Sequence, residues 1–229
     1  MKSNKLTFSF ISFVFLTVFI SGCKDDDAGA PPATGVYDVD GNKYSTITIG
    51  TQVWMVENLK TTKYRNGDPI PETTDQTEWS ELSSGGYCNL ENNSNHSVLY
   101  GKLYNWYVVN DSRQIAPLGW HVPSADEWST LIEFLGGEHV AGGKMKESGI
   151  GHWCDPNTGA TNESKFTALP GGVRTDLFFL PGCEWGTWWT ATEFNEENAI
   201  NRIIFNNETS INSVDNNKKF GMSVRCIQD

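Results

Sequence analysis

Basic residues are scarce in this sequence. It has 17 Lys and Arg residues against 28 Asp and Glu residues, which gives a formal net charge of −11 at pH 7. A surface with this balance repels the phosphate backbone of nucleic acids, and no basic stripe along the chain offsets it. We therefore expect no nucleic-acid partner.

Recognisable catalytic and metal-binding motifs are also missing. No G-x-S-x-G segment marks a nucleophilic serine, and with 28 acidic residues no single carboxylate pair stands out. No two cysteines have C-x-x-C spacing and the four histidines are scattered, which argues against a zinc site. His121, just before a predicted helix, is better explained as a structural hydrogen-bonding residue. We therefore expect no catalytic site and no resident cofactor.

Only one long apolar run is present, from Leu6 to Ile20, and it follows a short basic stretch. It is shorter than the roughly 20 residues that a membrane span needs, and its flanks are those of a secretory signal. It ends in Ile20-Ser21-Gly22-Cys23, which resembles the lipobox of bacterial lipoproteins. We predict that residues 1–22 are a signal peptide and that Cys23 carries the lipid. An ordinary secretory signal followed by a chance cysteine is the alternative.

Residues 23–35 have the composition of a tether. The run Lys24–Asp27 is followed by a segment rich in Ala, Pro and Gly that lacks core-forming residues. The acidic run resembles the surface-export signal of Bacteroidetes-type lipoproteins, and a plain solvated linker is the alternative. We predict a protein anchored by lipid in the cell outer membrane and exposed on the cell surface.

Four cysteines remain in the predicted domain, residues 36–229. They are Cys88, Cys154, Cys183 and Cys226. An even number of cysteines in an exported protein indicates two disulfides. The sequence pattern alone leaves all three connectivities open.

Local patterns predict a mixture of helices and strands. Ser124 is a good N-cap with Glu127 three residues later, which makes a capping box, and Trp128, Leu131 and Leu135 then recur on one helical face. Helices between β segments indicate an α+β domain whose terminal strands pair. We predict helices at 124–135 and 138–147, a short buried helix at 103–109, strands at 46–49, 53–56, 166–169, 188–192, 201–205 and 222–227, and long loops at 72–97 and 149–164.

Six motifs resemble, in order, those of the Fibrobacter succinogenes major paralogous domain family. They are Thr48–Leu59, Tyr100–Tyr107, Gly119–Trp128, Phe166–Arg174, Trp188–Glu193 and Ser223–Cys226. That family is similar to the C-type-lectin-like fold, in the branch that includes formylglycine-generating enzymes. The resemblance implies two helices packed on small twisted antiparallel sheets with long loops. It also implies the disulfides Cys88–Cys226 and Cys154–Cys183. The resemblance implies no activity, and a reactive cysteine pair like that of the formylglycine-generating enzymes is not identifiable here.

A ligand surface is predicted in the long-loop region. Trp153 and Trp185 lie in polar or Gly-rich sequence next to Cys154 and Cys183, where aromatic rings suit stacking on sugars or partner side chains. A cover over the disulfide is an equally weighted alternative. Asp155 and Asn157 flank Pro156 in a segment that resembles the Glu-Pro-Asn loop of calcium-dependent lectins, but Asp replaces Glu. We favour a simple turn over a calcium site.

These observations favour a surface-exposed, non-catalytic binding or adhesion module, with carbohydrate or a cell-surface protein as ligand. An enzyme of the formylglycine-generating type, an uncatalogued hydrolase and a structural envelope protein are the alternatives.

Overall fold

The computed structural model describes residues 35–180 and 182–229, which mix short helices with small antiparallel sheets. The helices are α1 (Gln76–Glu81), α2 (Ser94–Tyr100), α3 (Trp106–Val109), α4 (Ala125–Phe134) and α5 (Glu138–Met145), with a 3-10 turn at Leu90–Asn92. The strands are β1 (Val36–Tyr37), β2 (Lys43–Tyr44), β3 (Thr46–Ile49), β4 (Gln52–Met55), β5 (Tyr87–Cys88), β6 (Leu103–Tyr104), β7 (Trp120–His121), β8 (Val173–Arg174), β9 (Phe179–Leu180), β10 (Trp185–Glu193), β11 (Asn198–Phe205), β12 (Asn212–Asn217) and β13 (Ile227–Gln228). The predicted α+β class is confirmed. The predicted signal peptide, Cys23 and most of the tether lie outside the described residues.

A four-stranded sheet joins the two ends of the domain in the order β3-β4-β13-β7. Its hairpin turns at Gly50, whose φ of 63° lies in the left-handed region that glycine adopts without cost. On the terminal strand, Ile227 pairs with both Trp54 and His121. The predicted pairing of the terminal strands is therefore confirmed.

A three-stranded sheet in the order β10-β11-β12 carries two different faces. Alternate residues of a strand point to opposite faces. Trp188 and Ile204 lie on the face that belongs to the largest hydrophobic core. The opposite face carries Trp185, which pairs with Phe205, and Ile203, which pairs with Asn212. At this end of the sheet nothing from the described residues covers that face completely.

Helix α4 begins as the capping box predicts. The Ser124 side chain accepts a hydrogen bond from the backbone N–H of Glu127, and the Glu127 carboxylate accepts one from the backbone N–H of Ser124 at 2.7 Å. The helix then buries Trp128, Leu131 and Ile132 against the three-stranded sheet and its neighbours. Helix α5 follows directly, so both predicted helices are confirmed with ends shifted by one or two residues.

Several predicted segments were wrong in whole or in part. The predicted helix at 103–109 is helical only at Trp106–Val109, because Leu103–Tyr104 forms β6, and of the predicted strand at 222–227 only Ile227 belongs to a strand. The supposed loop at 72–97 contains α1, capped by Asp75 and anchored by buried Trp79, and the start of α2. A single cap and one apolar residue are too weak a periodic signal for six residues. The supposed strand at 166–169 makes only an isolated bridge, between Ala168 and Lys146. Strand β12 was missed because its sequence, Asn-Ser-Val-Asp-Asn-Asn, is polar on an exposed edge.

One of the two disulfides implied by the family resemblance was wrong. Cys154 and Cys183 are bonded, but Cys88 and Cys226 are free and buried. The two thiols belong to different hydrophobic clusters, because Cys88 packs with Trp79 and Leu103 whereas Cys226 lies beside the four-stranded sheet. Bonding them would require one of these packed clusters to open.

Several basic side chains lie inside the domain. Lys146, Arg174, Arg202, Lys218 and Arg225 are all at most 5% exposed. Most of their hydrogen bonds go to backbone carbonyls and amide side chains rather than to carboxylates. Because the chain has few basic residues, burying five leaves the solvent-facing surface more acidic than the composition indicates.

Residues Gly35–Asp229 form one compact unit, and among the described residues it contains four hydrophobic clusters. Such a unit has the burial that independent folding requires. Among the residues described, none of the helices is long and apolar enough to cross a membrane.

Candidate functional site

Two of the four predicted ligand residues are buried. Trp153 is 1% exposed, and its indole N–H donates to the Ala168 carbonyl at 2.9 Å. Asn157 is 6% exposed, and its amide N–H group donates to the Glu147 and Gly149 carbonyls. The prediction that these side chains face a ligand was wrong. The surrounding loop is polar, but it turns these two side chains inward, where they fill core space and satisfy backbone groups.

The other two predicted residues, Trp185 and Asp155, each contact the end of β11. Trp185 packs edge-to-face against Phe205, with ring centroids 4.8 Å apart. The next residue, Asn206, donates from its side chain to the backbone carbonyl of Asp155 at 3.0 Å. Asp155 is exposed. The structure therefore places both Trp185 and the backbone of Asp155 in contact with the 205–206 segment.

The disulfide holds this edge together. Cys154 and Cys183 have Cα atoms 5.0 Å apart, and the Cys154 backbone N–H donates to the Cys183 carbonyl at 2.8 Å. The Asn206 backbone N–H donates to the Glu184 carbonyl at 3.1 Å, which ties the end of β11 to the same segment. The disulfide Cys154–Cys183 is confirmed, and it anchors the segment that leads into Trp185.

An open cleft of about 630 Å³ lies on this face of the sheet. Its lining consists of Trp185, Ile203, Phe205, Glu208, Asn212, Ser213, Val214, Asp215 and Asn216. The aromatic side chains come from β10 and the end of β11, and the Glu208 carboxylate comes from the hairpin that follows. On β12, the side chains of Asn212, Val214 and Asn216 share this face of the sheet, whereas those of Ser213 and Asp215 point to the opposite face. An aromatic surface bordered by hydrogen-bonding side chains is typical of a binding site for a small or extended ligand.

The backbone beneath the cleft is fixed by the ammonium group of Lys146. It lies within hydrogen-bond distance of the carbonyl oxygens of Thr158 at 2.9 Å, Phe205 at 3.1 Å, Asn206 at 3.3 Å and Glu208 at 2.8 Å. Burial lowers the pKa of Lys146 to about 8. Because these carbonyls come from two separate segments, Lys146 joins the loop after the disulfide to the hairpin between β11 and β12.

The calcium alternative gains no support from this geometry. Asp155 is exposed while Asn157 points into the interior, so the two side chains do not converge on one point. Glu163, the third oxygen donor nearby in the sequence, lies 3.7 Å from the Lys144 ammonium. No group of three or more His, Cys, Asp or Glu side chains within residues 35–180 and 182–229 is arranged to hold a metal ion.

Comparison with known families identifies the family of the domain. The family model of the Fibrobacter succinogenes major domain matches residues 47–228. The chain belongs to this family. The family description names no activity. No match was found among curated proteins or among solved structures.

The motifs that resemble the Fibrobacter succinogenes major domain family serve mainly the core. Trp54 and Trp128 have ring centroids 4.9 Å apart, and Trp128 and Trp188 are 6.2 Å apart. The cleft residues Trp185 and Phe205, together with all of β12, fall outside the six motifs. Family resemblance could therefore predict the packing but not the cleft. The only local signal for Phe205 was its place at the end of a predicted strand.

A second polar cluster in this member of the family surrounds His121. Its Nδ1 atom lies 2.7 Å from an Asp229 carboxylate oxygen, and its Nε2 atom lies 2.8 Å from a Glu127 carboxylate oxygen. The structural hydrogen bonding expected of His121 is confirmed. Burial alone lowers the pKa of His121, but the bonds to the two carboxylates outweigh it and raise the pKa above its ordinary value. Burial likewise raises the pKa of Glu127, but bonds from Ser124 and His121 outweigh it and lower the pKa.

The cavity beside His121 offers little free hydrogen-bonding capacity. It has a volume of about 160 Å³ and is also lined by Arg65. The Arg65 guanidinium already donates to the carbonyls of Ala116, Pro117 and Trp120. Because its two basic side chains, His121 and Arg65, are engaged within the protein, this cavity is a weaker candidate site than the cleft on the three-stranded sheet.

We predict that His121 makes folding stability depend on pH. Because the folded-state pKa is raised, its contribution is complete below the unfolded-state value of 6.5 and is lost as the pH rises through the folded-state value. On the acid side, the Glu127 contribution is lost as the pH falls from its unfolded-state value of 4.5. Urea unfolding of the His121→Gln variant should therefore show a smaller stability decline between about pH 6 and 9 than the wild type.

The exposed His139 provides the matched control, because its side chain makes no hydrogen bond with the described residues. The His139→Gln variant should keep the wild-type pH profile. Equal slopes in all three proteins would contradict the ionic role of His121.

Proposed function

We propose that the domain is a non-catalytic carbohydrate-binding module, and that the cleft on the three-stranded sheet is its binding surface. The observation that carries this proposal is the Trp185–Phe205 aromatic pair in an open cleft bordered by amide and carboxylate side chains. The apolar face of a sugar ring stacks on an aromatic side chain, while its hydroxyl groups need hydrogen-bond partners around the edge. The cleft offers both kinds of contact.

The binding proposal gains further support from the unpaired cysteines. An enzyme that works through a cysteine needs an accessible thiolate, and burial instead raises the pKa of Cys88 to about 12, which bonding to Arg174 only partly offsets. Burial raises the pKa of the Cys226 thiol as well. Neither thiol is poised as a nucleophile in this conformation, which favours a binding module over an enzyme of the formylglycine-generating type.

The proposed location is the cell surface. The signal peptide, the lipid on Cys23 and the acidic tether predicted from the sequence would hold the domain outside the outer membrane. A surface-anchored domain with an open aromatic cleft is suited to capturing polysaccharide or to adhering to glycans on another cell.

We predict that Trp185→Ala weakens polysaccharide binding by at least about tenfold. An aromatic side chain that the ligand covers at the centre of a binding site contributes much of the affinity. The measurement is retention of the Gly35–Asp229 domain on a panel of neutral, amine-bearing and anionic polysaccharides, followed by calorimetric titration with oligosaccharides of the best binder. A chelator should leave binding unchanged, because no calcium ligand set lies in the cleft.

Phe194→Ala is the matched control, because Phe194 is 58% exposed and follows β10 at the opposite end from Trp185. It should bind like the wild type. Full binding by Trp185→Ala, with its fold verified by circular dichroism, would move the site away from the cleft. Failure of every polysaccharide to bind the wild type would contradict the carbohydrate proposal itself.

A further inference from the structure

The strand side chains that face the cleft form one row along the three-stranded sheet. The strand register places them at four successive levels: Trp185 with Phe205, Ile203 with Asn212, Val214, and Asn216. The first level lies at Phe205 and the last lies opposite Ala199, so the row extends for about 20 Å along β11. The cleft is therefore elongated in the strand direction.

The same face of the sheet is closed beside this row. Trp189 and Asn201 share the face with Trp185, but both are fully buried. The Trp189 indole N–H donates to the Tyr104 carbonyl at 2.9 Å inside the domain. On the edge strand, in contrast, Val214 is 39% exposed. A ligand that stacks on Trp185 can therefore extend toward β12, along the exposed side of the sheet.

Two amide side chains supply hydrogen-bond acceptors along the row. The Asn216 Nδ2 atom donates to the Oδ1 atom of buried Asn201 at 2.8 Å, which orients the Asn216 amide at the far end from Trp185. The Oδ1 atoms of Asn212 and Asn216 accept no hydrogen bond from the residues that the structure describes. Each amide oxygen can therefore accept a hydrogen bond from a sugar hydroxyl.

We propose that the cleft binds an internal stretch of a linear polysaccharide chain rather than a single terminal sugar. This inference rests on the proposed function, because it names the ligand class of the same cleft. One ring stacks on Trp185, the following rings pass Asn212 and Val214, and the last ring bonds to Asn216. The length of the row corresponds to about four sugar rings of an extended chain.

The test is calorimetric titration of the Gly35–Asp229 domain with a disaccharide, a tetrasaccharide and a hexasaccharide prepared from the best-binding polysaccharide. The tetrasaccharide should bind at least about tenfold more tightly than the disaccharide, because only the longer chain reaches both ends of the row. The hexasaccharide should bind about as tightly as the tetrasaccharide, since its additional rings extend beyond the row.

Substitutions at the two ends of the row should depend on ligand length in different ways. Asn216→Ala should weaken tetrasaccharide binding about fivefold, the range of one hydrogen bond, and leave disaccharide binding unchanged. Trp185→Ala should weaken the binding of both. Ser213→Ala is the matched control, because Ser213 is exposed on the same strand but its side chain points to the opposite face. It should bind both ligands like the wild type.

The outcomes separate this inference from the proposed function. Trp185-dependent binding with equal affinity for all three lengths would overturn the extended-chain inference and leave the carbohydrate site standing. Wild-type affinity of the Asn216→Ala variant for the tetrasaccharide, with its fold verified by circular dichroism, would also overturn it. Failure of every polysaccharide and oligosaccharide to bind the wild type would overturn both proposals.

Discussion

Replacing Lys146 with methionine is expected to lower the free energy of unfolding by about 2–4 kcal/mol. The side chain is fully buried and its ammonium group joins two segments through four backbone carbonyls. The carbonyls of Thr158 and Glu208 accept from no other donor among the described residues, so the variant leaves both without a protein hydrogen-bond partner. Methionine keeps most of the side-chain volume, so the decrease in the free energy of unfolding measures the effect of removing the hydrogen-bond donor. The measurement is urea unfolding of the Gly35–Asp229 domain at pH 7.

Lys144→Met is the matched control, because Lys144 lies two residues earlier, in the last turn of α5, and its side chain makes only an exposed ion pair with Glu163 at 3.7 Å. It should change the unfolding free energy by less than about 1 kcal/mol. If the Lys146 and Lys144 variants unfold at the same urea concentration, the bonds from Lys146 contribute no net stability.

The pH dependence gives a second readout for Lys146. Burial lowers its pKa to about 8 in the folded protein from an ordinary value of 10.5. Between these two values the unfolded chain binds more protons than the folded one, so stability rises with pH in this window. The Lys146→Met variant lacks this rise. The stability difference between wild type and variant should therefore increase above pH 8.

The parts of the fold that the sequence predicts are those encoded by neighbouring residues. The capping box at Ser124 and the apolar face that begins at Trp128 gave helix α4 to within a residue, since both signals act within a few residues of chain. The hairpin of β3 and β4 was equally clear, because its strands flank a glycine at the turn. Strand β12 has no such signal, because both of its faces carry polar residues.

The site was only partly predictable, because the exposure of a side chain depends on its contacts with residues that are distant in the sequence. Trp153 and Trp185 have similar polar neighbours in the sequence, yet the indole of Trp153 bonds to Ala168 inside the core whereas Trp185 packs against Phe205 at the cleft. The pairing of Cys154 with Cys183 came from family resemblance. The same resemblance gave the wrong result for Cys88, because the pair it implied would have joined two separately packed clusters.

Buried cations were not predictable from the sequence at all. Lysine and arginine are rarely buried without a partner, so each of these residues is expected at the surface when the chain is considered alone. Inside this domain most of their partners are carbonyl oxygens, which every residue carries and which therefore cannot be identified from the sequence.

The second large effect is expected at Arg225, in the last of the family motifs. The guanidinium is 1% exposed and stacks on Phe166 at 4.1 Å from the ring centroid. Its Nε and Nη2 atoms donate to the Asn58 side-chain oxygen, and its Nη1 atom donates to the Phe166 carbonyl. Burial lowers the pKa of Arg225 to about 9. The side chain thus fills space, binds an amide and satisfies a backbone carbonyl in the centre of the core.

We expect Arg225→Met to lower the unfolding free energy by about 3–5 kcal/mol, because a buried charged partner is removed from groups arranged around it. Arg225→Lys should recover only part of this loss, since a single ammonium cannot reproduce the planar fork that reaches Asn58 and Phe166 together.

Arg113→Met is the control: Arg113 also stacks on a ring, 3.9 Å above Tyr64, but its side chain is 40% exposed. That variant should lose less than about 1 kcal/mol. Equal losses for the Arg225 and Arg113 variants in urea unfolding would mean that stacking alone, without the buried bonds, accounts for the role of Arg225.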